Sequence, residues 1–335
     1  MTIEEIERVC DASEPQRWPS HELEAPELQH CETFYPLGFP TELRTNSIEI
    51  LAQARNLWSG VQERFHTQPI RVDLHVVEAG SKECPAPPAS RIVRPNLISV
   101  ANKDNYSIAN LDEATTQIVL SHAAEKHINY LNYFFLEPAP LHHIAAQFTT
   151  PIHAGCVSLD GKGVLLCGDS GAGKSSLSYA CARSGWTYVT DDASYMLHDA
   201  EDRRVTGHSR KVRFRPSAGE LFPEVNGLDL TPRAAGKPSI EVPTDVLPKM
   251  ICAQTALVDY IVFLNRHSGS EQQLVPFRTE VARHYMRQVL YGSAQSRVVQ
   301  HAAIERLLTA EIFELRYTDL DWGVRRLEAL IRDGC

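Results

Sequence analysis

A glycine-rich segment near the middle of this 335-residue chain limits the folds that the chain can adopt more than any other feature. It contains the phosphate-loop pattern, in which a glycine and four further residues precede Gly-Lys-Ser or Gly-Lys-Thr. The matching residues are Gly168, Gly173, Lys174 and Ser175. An apolar run of strand length, residues 164–167, precedes the loop, and a run compatible with a helix, residues 177–183, follows it. The sequence therefore predicts a strand, a phosphate-binding loop and a helix that ends near Gly185.

The residue types in this loop suit the binding of a triphosphate. Glycines let the backbone fold around the anion with successive N–H groups pointing inward, and the positive N-terminal end of the following helix attracts it. Lys174 is predicted to contact the β- and γ-phosphates, and Ser175 to bind Mg²⁺. The predicted cofactors are ATP, or another nucleoside triphosphate, and Mg²⁺. The predicted nucleotide-binding residues are Gly168, Asp169, Ser170, Gly171, Ala172, Gly173, Lys174, Ser175 and Ser176.

Two acidic residues follow the next predicted strand. Residues 186–190 have the composition of a strand, and Asp191 and Asp192 come directly after it. In an open α/β sheet, ligands bind at the carboxyl ends of the strands. The pair can therefore supply a Mg²⁺ ligand, a general base, or one of each. The alternative is a helix cap or a turn without a chemical role.

A β-hairpin is predicted to lead into the loop, because residues 156–159 and 164–167 flank a turn at residues 160–163. Most phosphate-loop enzymes enter the loop from a parallel strand, so this arrangement is unusual. The hairpin, the loop, the Asp pair and the tripeptide His153-Ala154-Gly155 together resemble the catalytic domain of HPr kinase/phosphorylase and its HPr-kinase-like relatives. The resemblance is firm over residues 153–192 and weaker up to about Glu224.

The resemblance implies an α/β fold, with a phosphate-loop kinase core of HPr kinase/phosphoenolpyruvate carboxykinase type and a smaller N-terminal α+β domain. It also implies ATP- and Mg²⁺-dependent phosphorylation of a serine hydroxyl, with Asp191, Asp192, His153 and Lys174 as catalytic residues. Asp191 would be the general base, and His153 would lie beside the nucleotide phosphates. The alternative for His153 is a hydrogen-bonded histidine at the start of a strand.

The sequence departs from that family in two places. The family carries a Glu-Ile-Arg-Gly segment that supplies a further Mg²⁺ ligand, and this chain has no recognisable equivalent. Asp192 is the candidate substitute, so Ser175 and Asp192 are the predicted metal ligands. The C-terminal loop with which the family contacts HPr is not recognisable either. This difference argues against HPr itself as the phosphoryl acceptor.

Three arginines are candidates for substrate binding. Arg213 and Arg215 fall on one face of a predicted strand, and Arg266 follows the buried-type strand at residues 259–264. The planar guanidinium group suits phosphates and carboxylates. A basic face in contact with solvent is the alternative for each of them.

The composition limits the partners and the compartment. The formal net charge of −9 weighs against a nucleic-acid surface. The N-terminus is acidic and lacks the features of a secretory signal, and no apolar run reaches the roughly 18 residues of a membrane helix. The eight cysteines are scattered without a Cys-x-x-Cys pair, which indicates free thiols in a reducing compartment. We therefore expect a cytoplasmic protein without nucleic-acid or membrane partners. The sequence leaves open whether the protein forms a homo-oligomer.

The chain is predicted to contain two domains, residues 1–148 and residues 149–335. The first is expected to be α+β and to serve acceptor recognition or assembly. Its predicted elements are a short helix and tail up to about residue 30, a helix at 48–65 with Asn46 or Ser47 as N-cap, strands at 70–77 and 97–100 around a proline-rich loop, and a helix at 115–136 that stops near Pro138. The predicted C-terminal elements of the second are a strand at 259–264, helices at 280–290 and 302–308, a strand at 312–317 and a helix at 322–331.

Three functions compete at this point. The first is an HPr-kinase-like phosphotransferase that acts on a serine or a small hydroxyl compound. The second is a small-molecule kinase of the shikimate or nucleoside-monophosphate type, against which the hairpin before the loop argues. The third is a nucleotide-binding regulatory protein without turnover. The sequence names neither the acceptor nor the direction of the reaction.

Overall fold

The computed structural model describes Thr2 and residues 27–79, 81–266, 271–292 and 294–334. Its contacts divide the chain into two units. The first unit comprises Met1–Gln147 with the short segments Pro232–Gly236 and Gly292–Ser296, and the second comprises Phe148–Thr231, Lys237–Tyr291 and Arg297–Cys335. The helix and tail predicted before residue 30 lie almost wholly outside the described residues.

The first unit contains one mixed sheet of seven strands. The strands are His30–Phe34 (β1), Thr41–Thr45 (β2), Ile70–Val77 (β3), Ala89–Val93 (β4), Asn96–Asn102 (β5), Asn105–Asn110 (β6) and Thr115–Ser121 (β7). They are ordered β1-β2-β3-β7-β6-β5-β4. Strands β2, β3 and β7 are parallel neighbours, and the other pairs are antiparallel.

A single helix connects β2 to its parallel neighbour β3. This helix, Ile48–Trp58 (α1), begins after Ser47, whose hydroxyl accepts a hydrogen bond from the Ile50 N–H at 3.3 Å. Of the two predicted N-cap residues, Asn46 and Ser47, the structure shows Ser47. The helix is shorter than predicted, because Gly60 with a φ of 66° follows it and the apolar residues beyond continue in an irregular segment.

The helix predicted at residues 115–136 is wrong in its first third. Thr115–Ser121 is the strand β7, which pairs on both sides with β3 and β6. Its β-branched residues favour a strand, and an apolar run of this length does not separate the two alternatives. The chain also stays helical beyond Pro138, since a proline is tolerated in the first turn of a helix. The helical elements are His122–Lys126 (α2), Ile128–Leu131 (α3), a π-helical turn at Asn132–Leu136, Pro138–His143 (α4) and a second π-helical turn at Ile144–Phe148.

The second unit contains a ten-stranded mixed sheet and a separate two-stranded sheet. The strands are Thr149–Ile152 (β8), Ala154–Leu159 (β9), Lys162–Cys167 (β10), Thr187–Thr190 (β11), Ser194–Leu197 (β12), Arg204–Gly207 (β13), Lys211–Phe214 (β14), Ile240–Pro243 (β15), Ile251–Cys252 (β16), Thr255–Arg266 (β17), Gln273–Pro276 (β18) and Glu311–Tyr317 (β19). The large sheet follows the order β16-β11-β9-β10-β17-β13-β12-β8, with β19 pairing both β17 and β18, whereas β14 pairs only with β15.

Four described helices of eight or more residues lie wholly or mainly in this unit. They are Lys174–Arg183 (α5), Thr279–Arg287 (α6), Ala294–Leu307 (α7) and Leu320–Asp333 (α8). Each predicted strand and helix after residue 259 overlaps an observed element of the same type, although the helix predicted to residue 290 ends at Arg287 and the one predicted to residue 308 ends at Leu307. The predicted hairpin is also present, as β9 and β10 pair in antiparallel register from Lys162 and Leu159 to Cys167 and Ala154.

The middle of the large sheet is covered on both faces. Side chains of β10 alternate between two cores: Val164 and Leu166 pack in the core that includes α5 and α8, whereas Leu165 and Cys167 pack in the core that includes α6 and α7. Strands buried on both faces have continuous apolar sequences, which explains the unbroken run at residues 164–167. Strand β10 is parallel to β17 and carries the glycine-rich loop at its carboxyl end.

The cysteines that the structure describes have free thiols, and those on β9, β10 and α5 are buried. Within the described residues, no helix combines the length and the apolar character that crossing a membrane requires.

Candidate active site

The glycine-rich loop lies between β10 and α5, and its backbone leaves no room for side chains at two positions. Gly168 has a φ of 149°, and a Cβ there would lie 2.9 Å from the Cβ of Ala172. Gly173 has a φ of 102°, and a Cβ there would lie 2.5 Å from the Tyr317 hydroxyl. Both conformations favour glycine. The loop therefore requires glycine at the first and last glycine positions of the sequence motif.

Helix α5 begins directly after Gly173 and presents unpaired backbone donors at its start. The first intrahelical hydrogen bond runs from the Leu177 N–H to the Gly173 carbonyl at 2.8 Å. The N–H groups of Lys174, Ser175 and Ser176 therefore have no acceptor within the helix. This end of a helix suits an anion, because the N–H groups and the helix dipole both favour negative charge.

The Lys174 side chain turns back onto the loop. Its Nζ donates to the Gly168 carbonyl at 2.6 Å and lies 3.1 Å from His153 Nε2. The residue is only 6% exposed, and burial lowers the pKa of the ammonium group. A buried ammonium group is costly unless it is hydrogen-bonded, and here the loop and His153 supply the acceptors.

Asp191 follows β11 and is buried against polar partners. Its Oδ1 lies 3.1 Å from the Tyr188 hydroxyl, its Oδ2 accepts from the Arg213 backbone N–H at 3.1 Å, and the Ser175 hydroxyl is a further partner. Burial raises the pKa of this carboxyl group to about 6, although these hydrogen bonds lower it. A carboxyl group with such a pKa can take up a proton near neutral pH, as a general base must.

Asp192 and His153 form the neighbouring pair. His153 Nδ1 lies 3.5 Å from Asp192 Oδ1, and both side chains are about half exposed. Burial and the nearby Lys174 ammonium group lower the pKa of His153, so the neutral ring is favoured. Because the Lys174 ammonium group can only donate, Nε2 of His153 is the acceptor and Nδ1 carries the hydrogen that faces Asp192.

A cleft of about 360 Å³ collects most of the predicted site residues. It is lined by the loop, by His153 and Asp192, and by all three candidate substrate-binding arginines. Asp191 lies behind this lining, against Ser175. The lining residues are His153, Ser170, Gly171, Gly173, Lys174, Ser175, Ser176, Asp192, Arg213, Phe214, Arg215, Ser217, Ala218, Leu221, Lys237, Ser239 and Arg266.

Three residues of this region make contacts at the site that the sequence did not predict. The Tyr285 hydroxyl on α6 accepts from the Gly168 N–H at 3.1 Å and lies 2.9 Å from the His153 carbonyl oxygen. Lys237 Nζ donates to the Ser170 hydroxyl at 3.0 Å. No local sequence signal exists for Tyr285 and Lys237. The third residue is Tyr188, which lies in the predicted strand three residues before Asp191, and this position alone could have suggested a contact with Asp191.

The donor groups fit a nucleoside triphosphate and Mg²⁺. The unpaired N–H groups at the start of α5 and the basic lining of the cleft suit the phosphates. The Ser175 hydroxyl and the carboxylates of Asp191 and Asp192 are hard oxygen ligands of the type that Mg²⁺ prefers, usually with phosphate oxygens completing the coordination.

No family model matches the chain. Among curated proteins it is similar to HPr kinase/phosphorylase from Thermoanaerobacter sp. (strain X514), with 32% identity over 120 residues, 36% of this chain and 34% of the relative. The HPr kinase/phosphorylase of Caldanaerobacter subterraneus subsp. tengcongensis is 32% identical over 111 residues, 33% of this chain and 31% of the relative. The matches thus span about a third of the length of these relatives.

Among solved structures, the chain is similar to the Hpr(Ser) kinase/phosphatase from Coxiella burnetii, with 15% identity and a TM-score of 0.30 over 55% of this chain and 95% of that one. These sequence relatives support the resemblance of the chain to HPr kinase/phosphorylase over about a third of its length.

Proposed function

We propose that the protein is a phosphotransferase that moves the γ-phosphate of ATP to a serine or small-molecule hydroxyl with the help of Mg²⁺. The observation that carries this proposal is the cleft, in which the start of α5, Lys174, His153 and Asp192 meet, with Asp191 directly behind Ser175. Phosphoryl transfer depends mainly on positioning and on neutralising charge. The names of the sequence relatives support a kinase of this class.

The nucleotide phosphates are assigned to residues 168–176. In this proposal, Lys174 leaves its loop acceptors and contacts the phosphates, since its position at the start of α5 places it beside the bound anion. Ser175 and Asp192 hold Mg²⁺, which, when bound, would neutralise charge on the phosphates. His153 keeps Lys174 and Asp192 in place through its two ring nitrogens.

Asp191 is assigned as the general base that takes the proton of the acceptor hydroxyl. The raised pKa of about 6 supports this role, since a base should titrate near the working pH. Asp192 is the competing candidate, because its carboxylate lines the cleft whereas that of Asp191 is 6% exposed and engaged by three partners. In that case, Asp191 would orient Ser175 instead.

The first unit is assigned to acceptor recognition or assembly. The support is that all the proposed phosphate-handling residues, from His153 onward, belong to the second unit. We therefore expect a protein without residues 1–147 to keep Mg-ATP affinity if it folds. A folded second unit that no longer binds Mg-ATP would contradict this division of roles.

The proposed function is tested by incubating the protein with γ-labelled ATP and Mg²⁺ in the presence of a cell extract, and by following label into metabolites and peptides with mass spectrometry. Transfer that disappears in Lys174→Ala supports the phosphotransferase. Binding of Mg-ATP without any transfer or consumption would favour a regulatory nucleotide-binding protein. Purified HPr is tested as a separate acceptor in this assay. We expect no transfer to HPr, because the C-terminal loop with which HPr kinases contact HPr is not recognisable in this chain.

A further inference from the structure

The cleft is strongly basic in an acidic protein. Five of its seventeen lining residues are lysine or arginine and only Asp192 is acidic, whereas the whole chain carries a formal net charge of −9. A concentration of one sign of charge in a cleft attracts ligands of the opposite sign. Because Mg²⁺ neutralises part of the charge of a bound triphosphate, five cationic side chains also suit a second anionic group.

Two of the basic side chains lie beside the glycine-rich loop. Lys237 Nζ donates to the Ser170 hydroxyl at 3.0 Å. The Cδ of Arg266 lies 3.9 Å from the position of a Cβ on Gly173. Both are therefore placed to neutralise the phosphates that this loop is proposed to bind.

Two more of the five, Arg213 and Arg215, line the cleft at a segment that contacts Asp191. The Arg213 backbone N–H donates to Asp191 Oδ2 at 3.1 Å, and Arg215 follows directly after β14, which ends at Phe214. Val212 and Phe214 alternate with them and point into the core. Arg213 and Arg215 both line the cleft, and the backbone of Arg213 contacts Asp191, the proposed base for the acceptor hydroxyl.

The carboxylate on the paired strand is engaged by a neighbouring lysine. Glu241 lies opposite Arg213 in register, yet its Oε2 accepts from Lys211 Nζ at 2.7 Å. Arg215 donates to the Pro238 carbonyl at 3.4 Å. In the part of the chain that the structure describes, no ion pair involves Arg213 or Arg215.

From this arrangement we infer that the phosphoryl acceptor is itself an anion: a hydroxyl compound whose carboxylate or phosphate group is bound by Arg213 and Arg215. This inference rests on the proposed function and adds the class of acceptor. Arginine suits such a group because its planar fork donates two parallel hydrogen bonds to a carboxylate or a phosphate. Arg266 and Lys237 serve the nucleotide instead, so the two pairs have separable effects.

The test uses the full-length protein, titrated by calorimetry first with the Mg²⁺ complex of a non-hydrolysable ATP analogue. The resulting complex is then titrated with L-malate, with glycerol 3-phosphate and with uncharged glycerol. Malate and glycerol 3-phosphate distinguish a carboxylate from a phosphate as the recognised group. The variants are Arg213→Gln/Arg215→Gln and Arg266→Gln, with Arg204→Gln as the control, because Arg204 is an exposed arginine outside the cleft that pairs with Asp202.

We expect at least one of the anions to bind the wild type at millimolar concentration and glycerol not to bind. The double variant should lose about tenfold or more of the anion affinity, as expected for lost hydrogen bonds to a charged group. The double variant should keep its affinity for the nucleotide analogue. Arg266→Gln should lose affinity for the nucleotide analogue and keep its affinity for the anion. Arg204→Gln should keep both affinities.

Equal anion affinity in the double variant and the wild type would overturn the inference, as would the absence of anion binding to the wild type. Loss of nucleotide affinity in the double variant would also overturn it, by assigning these arginines to the nucleotide. Failure of the wild type to bind the nucleotide analogue would instead contradict the proposed function. In that case, titration of the anions into the nucleotide-free protein would still show whether Arg213 and Arg215 bind an anion.

Discussion

The two units of the chain bury titratable groups in different ways. In the first unit, the buried Glu125 carboxylate accepts from the Ser47 hydroxyl and lies 2.8 Å from His122 Nδ1. The buried His143 ring lies 2.7 Å from the Thr116 hydroxyl, and burial lowers its pKa to about 3. These groups connect a helix cap, helices and a strand of one unit to each other, so their partners are structural.

In the second unit, the corresponding groups surround a cleft. Lys174 and Asp191 are each 6% exposed, and their pKa values are shifted toward the neutral form by burial. Burying a charge costs free energy, and strongly shifted groups beside a cleft are candidates for function. The comparison teaches that burial alone does not distinguish a functional residue from a structural one, and that a shifted group beside a cleft is the better candidate. Four predictions test this difference.

The largest effect is expected for Asp191→Asn. Removing the proposed general base should lower single-turnover phosphoryl transfer by about 10²- to 10⁴-fold while Mg-ATP affinity changes little. Single-turnover rates and calorimetry measure the two quantities, with exposed Asp229→Asn as the control and a thermal melt to confirm folding. A variant that keeps full activity with metal and acceptor saturating would remove Asp191 from the chemistry, and Asp192→Asn would then be expected to carry the effect.

The next effect is expected for Lys174→Ala. The loss of charge-assisted contacts with the phosphates should weaken Mg-ATP binding by about 1.5–3 kcal/mol. Calorimetry on this variant and on exposed Lys103→Ala provides the comparison. Equal nucleotide affinity in the wild type and Lys174→Ala would contradict the assignment of the glycine-rich loop.

The pH dependence should follow Asp191. As a base it works when ionised, so the rate should rise as pH increases through about 6. Stability should change in the opposite direction, because a folded-state pKa above the unfolded one stabilises the protein at low pH, and this contribution is lost as pH rises through about 6. Asp191→Asn should flatten this change in denaturant unfolding measured between pH 4 and pH 7. If the variant and the wild type showed the same dependence of stability on pH, the raised pKa would not belong to Asp191.

The smallest effect is expected in the first unit, for Asp73→Asn. Its carboxylate links β3 to β2 through Arg44, with Nε 2.6 Å from Oδ1, and both side chains are partly exposed. Exposed ion pairs contribute little, so the free energy of unfolding should fall by at most about 1 kcal/mol. Mg-ATP affinity should be unchanged. A tenfold loss of that affinity in a folded variant would break the distinction between the two units.

The candidate site was predictable from the sequence where it depends on neighbouring residues. The spacing of Gly173, Lys174 and Ser175 gives the loop and the start of α5, and the strand before Asp191 places that carboxyl group at the end of the sheet. Arg213, Arg215 and Arg266 were also named from the sequence, and the structure places all three in one cleft with Lys174. Local geometry follows from backbone preferences and from side-chain alternation, which act over a few residues.

The tertiary structure decided what depends on distant residues. Tyr285 contacts Gly168 from 117 positions away, and Lys237 contacts Ser170 from 67 positions away, so no local pattern could predict either contact. The segment Thr115–Ser121 is a strand and not the predicted helix, because its pairing with the distant strand β3 overrides local periodicity. The raised pKa of Asp191 likewise follows from its burial behind the cleft, since it is packing around the carboxyl group, and not its place in the sequence, that removes water from it.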